Sequence, residues 1–301
     1  MKFGKTAELH TVDFRFPEEH PESRRLLGGE EKADRALFIG CPAWTCKEWT
    51  GKIYPANARQ QDFLHHYARQ FQTIELNTTF YRTPDAATVA RWNEMTPEGF
   101  RFCPKISRQI SHLRRLQNVQ LLTQEFCSAF LPMGNKLGPM FLQLPPNFTS
   151  REIDKLQSFV LSFPVGYKLA IEFRHESWFS DPEVFEHVTR LIASQNMLTV
   201  ITDVAGRRDI LHQRLTTDEI MVRFVGNNLH QSDYQRANDW VDRLQQWFAS
   251  GLKKAWFFVH EPDDVLCPEM ARYFAKRFNA QGNVKAKVPQ FVPKNIQSSL
   301  F

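Results

Sequence analysis

Glu75, Lys105, Glu172, Arg174, Asp203 and Arg223 stand at or near the ends of short apolar runs spread over half of the chain. Three acids and three bases of this kind can hold an anionic or polyhydroxylated ligand, because guanidinium and ammonium groups bind phosphate or carboxylate while a nearby carboxylate takes or gives a proton. Taking such groups out of water costs several kcal/mol each unless they pair or meet a ligand. Two expectations therefore compete: a ligand site with Glu75, Glu172, Lys105 and Asp203 as its catalytic groups, or an ion-pair layer in which the six neutralise one another. Asn77, Tyr81, Gln143, Arg174, His175, Trp178, Arg223, Trp44 and His260 complete the set as substrate-binding candidates. The aromatic members can stack on a sugar or a base, or simply pack loops onto a rim.

The elements that must position these groups are eight apolar runs: LFIGC (37–41), TIELN (73–77), FRFCPK (100–105), MFLQL (140–144), LAIEFRH (169–175), LTVITD (198–203), MVRFVG (221–226) and AWFFVHE (255–261). Each has the length of a strand, and helical spacing follows most of them, near 57–70, 84–96, 114–130, 151–162, 181–194, 235–250 and 267–278. Asp181-Pro182 is an N-cap followed by proline at the first helical position, and Thr149 or Ser150 is placed to cap the helix at 151–162. The stretch after the sixth run, VAGRRDILHQRL, is short and contains glycine, which makes it the weakest of the crossovers. Eight strand–helix units with no glycine-rich dinucleotide loop predict an α/β fold of (β/α)8 TIM-barrel type, with the chemistry at the strands' C-terminal ends. Alternation along each strand aims Glu75, Lys105, Gln143, Glu172, Asp203, Arg223 and His260 at the barrel axis. The expected division is a polar N-terminal arm (1–35), the barrel (36–280) and a flexible C-terminal tail (281–301).

With 301 residues, 42% of them hydrophobic and 24% charged, the chain is of globular composition. A net charge of +5 permits an anionic partner without requiring one. The N-terminus has no apolar signal core and no run long enough to span a membrane, so a cytoplasmic protein with reduced thiols is expected. Cys41, Cys46, Cys103, Cys127 and Cys267 are odd in number and irregular in spacing, which suits packed thiols. Glu75, His112, Glu172, His175, Asp203, His260 and Glu261 are the conceivable metal donors. They lack HxH or HExxH spacing and have arginines among them, so a divalent metal is not the favoured cofactor, and the cofactor stays unassigned.

In order along the chain, GCPAWTCKEWTGKIYP (40–55), IELNTTFYRTP (74–84), GFRFCPKISRQISH (99–112), LGPMFLQLPPNF (137–148), LAIEFRHESWF (169–179) and MVRFVG (221–226) resemble the motifs of the YecE-like domain-of-unknown-function family. The resemblance implies a TIM-like barrel and no settled activity. It marks Glu75, Asn77, Tyr81, Lys105, Gln143, Glu172, Arg174, His175 and Trp178 as positions that match family motifs. The chain departs from many relatives at Val225, where they carry His, and at His260-Glu261, where they carry an Asn pair. In outline the expected barrel is also similar to metal-dependent apurinic-site nucleases and sugar isomerases.

The last residues, QSSLF, have the shape of a sliding-clamp-binding peptide, with Gln297, Leu300 and Phe301 as the contacting side chains. The functional expectation is a hydrolase or lyase acting on a phosphorylated or nucleic-acid-related substrate at the barrel mouth. The alternatives are a sugar-directed isomerase or glycosidase, and a non-catalytic barrel recruited to the clamp by its tail.

Overall fold

The computed structural model describes Gly4 and residues 6–293. The eight expected runs form eight parallel strands: β1 (Ala36–Cys41), β2 (Thr73–Leu76), β3 (Arg101–Pro104), β4 (Met140–Gln143), β5 (Leu169–Glu172), β6 (Leu198–Asp203), β7 (Glu219–Val225) and β8 (Lys254–His260). Their order is β3-β2-β1-β8-β7-β6-β5-β4. Between β3 and β4 the ladder is replaced by bridges at Phe102–Leu137 and Lys105–Phe141. There Gly138 N donates to Phe102 O (2.8 Å) and Ile106 N to Phe141 O (2.9 Å), which closes the barrel. Gly40 is required at the β1–β2 seam, because a Cβ there would lie 2.2 Å from Thr73 O.

The helices are α1 (Pro21–Leu27), α2 (Phe63–Gln70), α3 (Ala86–Glu94), α4 (Gln120–Ser128), α5 (Ile153–Ser162), α6 (Pro182–Ser194), α7 (Gln231–Ala249) and α8 (Cys267–Asn279). Asp181 caps α6 as expected, its Oδ1 accepting from Glu183 N (2.9 Å) and Val184 N (3.4 Å) ahead of Pro182. Thr149 and Ser150 do not cap α5; a 3-10 turn, Ser150–Glu152, intervenes, and Ser150 N donates to Ser177 Oγ. Between β6 and β7 there is only a 3-10 turn, Arg208–Ile210, so the barrel lacks one outer helix.

The N-terminal arm stands in for it. Ser23 Oγ donates to Gln213 O (3.0 Å) and accepts from Leu215 N (2.9 Å), both on the β6–β7 crossover. Leu27 is buried, and Phe16 meets Trp240 of α7 edge-on at 4.8 Å. The chain after α8 also lies on the barrel: Val284 and Ala286 are buried, Gln290 N donates to Gln70 Oε1 and Val292 N to Lys52 O. The free tail expected from residue 281 is thus corrected for this stretch, because its few apolar residues find a groove beside α2. Gln297, Leu300 and Phe301 lie outside the described residues. No helix is long and apolar enough to cross a membrane among the described residues.

The barrel interior is layered. At the strands' N-terminal ends Glu219 accepts from Lys254 Nζ, Trp256 Nε1 and Lys168 Nζ. Above lie Phe38, Cys103, Phe141, Ala170, Leu198, Val200, Met221, Trp256 and Phe258, an apolar filling in the manner of a TIM barrel. The aliphatic and aromatic set on the opposite strand faces packs against the helices. Because Ser23 satisfies two buried backbone groups, Ser23→Ala should lower unfolding free energy by about 1–3 kcal/mol, measured by urea denaturation; no change would mean that the arm is not part of the cooperative unit.

Candidate functional site

The layer above the apolar filling is charged. Arg223 enters from β7 fully buried and takes two carboxylates at once. Its Nε and Nη2 donate to Glu75 Oε2 (2.8 Å) and Oε1 (2.9 Å), and its Nη1 donates to Glu172 Oε1 (3.1 Å) and Oε2 (3.0 Å). Around this core, His260 Nε2 donates to Glu75 Oε2 (2.9 Å), Asn77 Nδ2 to Glu75 Oε1 (2.9 Å), Thr202 Oγ1 to Glu172 Oε1 (3.0 Å) and Gln143 Nε2 to Glu172 Oε2 (2.7 Å). Burial works against ionisation of both carboxyls. The Arg223 charge overcomes it and holds both below the usual carboxylate range, helped by His260 at Glu75 and by Arg174 at Glu172. Glu75 and Glu172 are therefore held as anions inside the layer and do not line the cavity above it. The ion-pair layer is thus present, and a cavity lies above it.

The upper storey is a cavity of about 650 Å³ at the strands' C-terminal ends. Lys105 and Arg174 stand on its floor, both turned to Gln143 Oε1, at 2.9 Å from Lys105 Nζ and 3.3 Å from Arg174 Nη1. Burial, with Arg223 nearby, lowers the Lys105 ammonium to about 8, and burial lowers Arg174 to about 10. Asn77, Phe80, Tyr81 and His112 extend this wall. His112 sits on a π-helical turn, Gln109–Leu113, a local distortion common at functional positions. Burial, followed by the Lys105 charge, pushes its imidazole down to about 4.

The opposite wall comes from the loops after β7 and β8, with Asn227, Asn228, His260, Glu261 and Asp264. Glu261 is 2% exposed, and its Oε2 accepts from Asn228 N (2.8 Å). Burial and then the Asp233 charge push its carboxyl up to about 7. Gly226 makes room for it, since a Cβ there would lie 2.2 Å from Glu261 Oε1. Asn228 (φ 59°), Leu229 (φ 59°) and Asp264 (φ 64°) hold left-handed conformations that side chains rarely adopt, a concentration of strain beside the cavity. Gly4, Thr6, Ala7 and Leu9 of the arm form the remaining edge, tied down where Gly206 N donates to Gly4 O (2.8 Å).

Of the residues singled out from sequence, Lys105, Asn77, Tyr81, Gln143, Arg174 and His260 line this cavity. Glu75, Glu172 and Arg223 lie beneath it. Asp203 is a correction: on β6 the inward positions are Leu198, Val200 and Thr202, so Asp203 faces outward, where Arg236, Trp240 Nε1 (2.7 Å) and Arg208 surround it and dock α7. Trp178 is buried against Phe148 and Phe173 with its Nε1 on Phe148 O, His175 caps the short turn Glu176–Trp178, and Trp44 meets Trp92 edge-on. These three are scaffold and do not reach the cavity. His112 and Glu261 had been considered only as metal donors, while Phe80, Asn227, Asn228 and Asp264 gave no signal beyond lying after strand ends. Among the described residues no group of three or more His, Cys, Asp or Glu side chains is placed to hold a metal ion. All five cysteines are free, and all but Cys46 are buried.

Residues 38–295 match the family described as Protein of unknown function DUF72. The chain belongs to this family. The DUF72 relatives include UPF0759 protein YecE of Escherichia coli K12, 30% identical over 287 residues, which span 88% of this chain and all of the relative. UPF0759 protein YunF of Bacillus subtilis 168 is 26% identical over 239 residues, 70% of this chain and 83% of the relative. A crystal structure of a DUF72 family protein from Enterococcus faecalis superposes with a TM-score of 0.68 at 19% identity, covering 85% of this chain and all of that one, a likeness of fold. The DUF72 barrel is thus common ground, and no activity comes with it.

Two outcomes follow from the layer and from the wall above it. Glu75→Gln leaves Arg223 with one of its two buried carboxylates and should cost about 3–5 kcal/mol in urea denaturation. Since the folded-state pKa of Glu75 is depressed, its contribution is complete above about pH 4.5 and disappears as pH falls through the lower folded value. The deficit of the variant should accordingly shrink in acid, and a pH-independent deficit would contradict the ion pairing. Glu261 has the opposite sign: its raised pKa penalises the folded state, not at all below about pH 4.5 and fully above about 7. Glu261→Gln should therefore stabilise the protein by about 1–3 kcal/mol at pH 8 and leave it unchanged at pH 4.5, as read by thermal unfolding.

Proposed function

We propose that the barrel mouth binds a small anionic molecule of the phosphorylated class and acts on it as a hydrolase or lyase by proton transfer. The observation that carries this is the balance of charge on the floor. Glu75 and Glu172 are ionised and face three cations, Arg223, Lys105 and Arg174. Asp203, which would have balanced the third, is turned away to α7. Lys105 and Arg174 bring two positive charges to the base of the cavity, where an anion can pair with both.

The size of the cavity suits a small molecule, and the Gly4–Leu9 edge narrows the mouth against a polymer. Across from the cations, Glu261 titrates near neutrality, as a general acid or base working at physiological pH must. A glycosidase has less support. The pair of carboxylates the sequence offered for it, Glu75 and Glu172, are both held as anions by the same arginine and lie beneath the cavity, so neither suits the general acid of that chemistry. Of the rim aromatics offered for stacking, Trp44 and Trp178 are packed into the scaffold.

Inorganic phosphate should raise the melting temperature and bind measurably by calorimetry. Arg174→Met should weaken that binding at least about tenfold, the worth of one charge-assisted hydrogen bond. Binding to the unaltered protein should fall as pH rises through about 8, where Lys105 loses its proton. Absence of phosphate binding, or binding indifferent to Arg174→Met, would dismiss the reading.

A further inference from the structure

Lys105 is built unlike a lysine whose task is only to hold a charge. Its backbone is fixed on three sides, with N donating to Leu76 O (3.3 Å), O accepting from Thr79 Oγ1 (2.7 Å), and a bridge to Phe141 that closes the barrel. Its Nζ is buried between the rings of Phe80 and Phe141, 4.5 and 5.6 Å from their centroids. A lysine this deep ordinarily has a carboxylate partner. Among the described residues Lys105 has none within ion-pair distance, because Arg223 occupies both available carboxylates; Nζ makes one hydrogen bond, to Gln143 Oε1. The amide cannot turn round, since its Nε2 is committed to Glu172 Oε2. Gln143 therefore aims Nζ at the cavity floor without neutralising it.

We propose that Lys105 is the nucleophile of this site: its Nζ condenses with the carbonyl carbon of a small anionic keto or aldehyde substrate, and the resulting iminium is the electron sink for cleavage of an adjacent carbon–carbon bond. The proposal rests on the anionic ligand proposed above and chooses the lyase over the hydrolase. Arg174 holds the anionic group of the substrate beside Nζ. A desolvated lysine beside another cation is the usual way to keep a reactive free amine near neutral pH, and here burial and Arg223 bring the ammonium down to about 8. With the ammonium lowered to about 8, the free amine is reached by loss of its proton to water at the open mouth of the cavity.

The amine lone pair then forms the carbon–nitrogen bond, and the carbonyl oxygen gains a proton to give a carbinolamine. Its hydroxyl leaves as water with a second proton, which Glu261 supplies across the cavity. Glu261, now a carboxylate, takes the proton of the substrate's β-hydroxyl; the freed O–H electron pair forms the carbonyl of the departing aldehyde as the carbon–carbon bond breaks, and the electron pair of that bond moves onto the iminium nitrogen as an enamine. Protonation of the enamine and addition of water to the iminium return the second carbonyl product and the free amine, so no external oxidant or reductant is consumed.

The test is reductive trapping. The full chain is incubated with pyruvate or with dihydroxyacetone phosphate, treated with borohydride, digested and mapped by mass spectrometry, while phosphate binding is measured on the same preparation. The expected result is a reduced adduct on the Lys105 peptide for at least one probe, formed at pH 8 at least about tenfold faster than on any surface lysine, as its lowered pKa requires, and absent from Lys105→Arg. Should Lys105→Arg fail to fold, the site of labelling in the unaltered chain decides alone. Phosphate binding with no adduct on Lys105 for either probe, or labelling of surface lysines only, overturns the nucleophile and leaves the anion site standing. Loss of phosphate binding together with the adduct overturns both.

Discussion

Arg223 is the pivot of this barrel. One guanidinium, without solvent contact, satisfies carboxylates that arrive from β2 and β5, on different sides of the ring, and its five donors suit that double task as an ammonium would not. Taking three charges into the interior is expensive, and only their mutual pairing, completed by His260, Asn77, Thr202 and Gln143, makes it tolerable. The cost has a return in geometry. The layer spans six strands, so it sets where their C-terminal ends stand relative to one another, and the cavity floor inherits that precision.

Everything above the layer takes its electrostatics from it. Gln143 is gripped by Glu172 on one side and therefore presents its carbonyl oxygen to Lys105 and Arg174 on the other. With both layer carboxylates engaged by Arg223, Lys105 has no carboxylate within ion-pair distance among the described residues, and Arg174 reaches Glu172 only at 3.8 Å. The amine of Lys105 is lowered by burial and then by the same arginine that uses up its potential partners. Across the cavity, Glu261 is raised by burial and by Asp233. The cationic wall is thus a consequence of pairing one storey down, while the raised carboxyl facing it comes from the loops after β7 and β8.

The outer architecture bends to the same end. The β6–β7 crossover has no helix to cover it, and α1 of the arm fills the vacancy through Ser23 and Leu27. That placement leads the chain N-terminal to α1 over the mouth, so the segment at Gly4–Leu9 edges the cavity. Outward-facing Asp203 contributes by gathering Arg208, Arg236 and Trp240, which seat α7 against the barrel. A residue that looked like part of the chemistry is part of its support.

The sequence by itself determined the strand–helix alternation, because period-two and helical spacing are local properties: each of the eight apolar runs became a strand, and Asp181-Pro182 opened a helix where its chemistry demanded. It also placed Glu75, Lys105, Gln143, Glu172, Arg174, Arg223 and His260 at the strands' C-terminal ends. Only the tertiary structure decided which of them face a ligand. Whether a carboxylate is a base or a fixed counter-ion depends on who sits opposite it, and Glu75 meets Arg223 across 148 residues of sequence. Strand phase at Asp203 was likewise invisible, since a six-residue run with Thr202 and Asp203 side by side offers two polar ends one register apart. His112 and Glu261 acquired their shifted protonation from burial and from distant charges, which are properties of the folded chain alone.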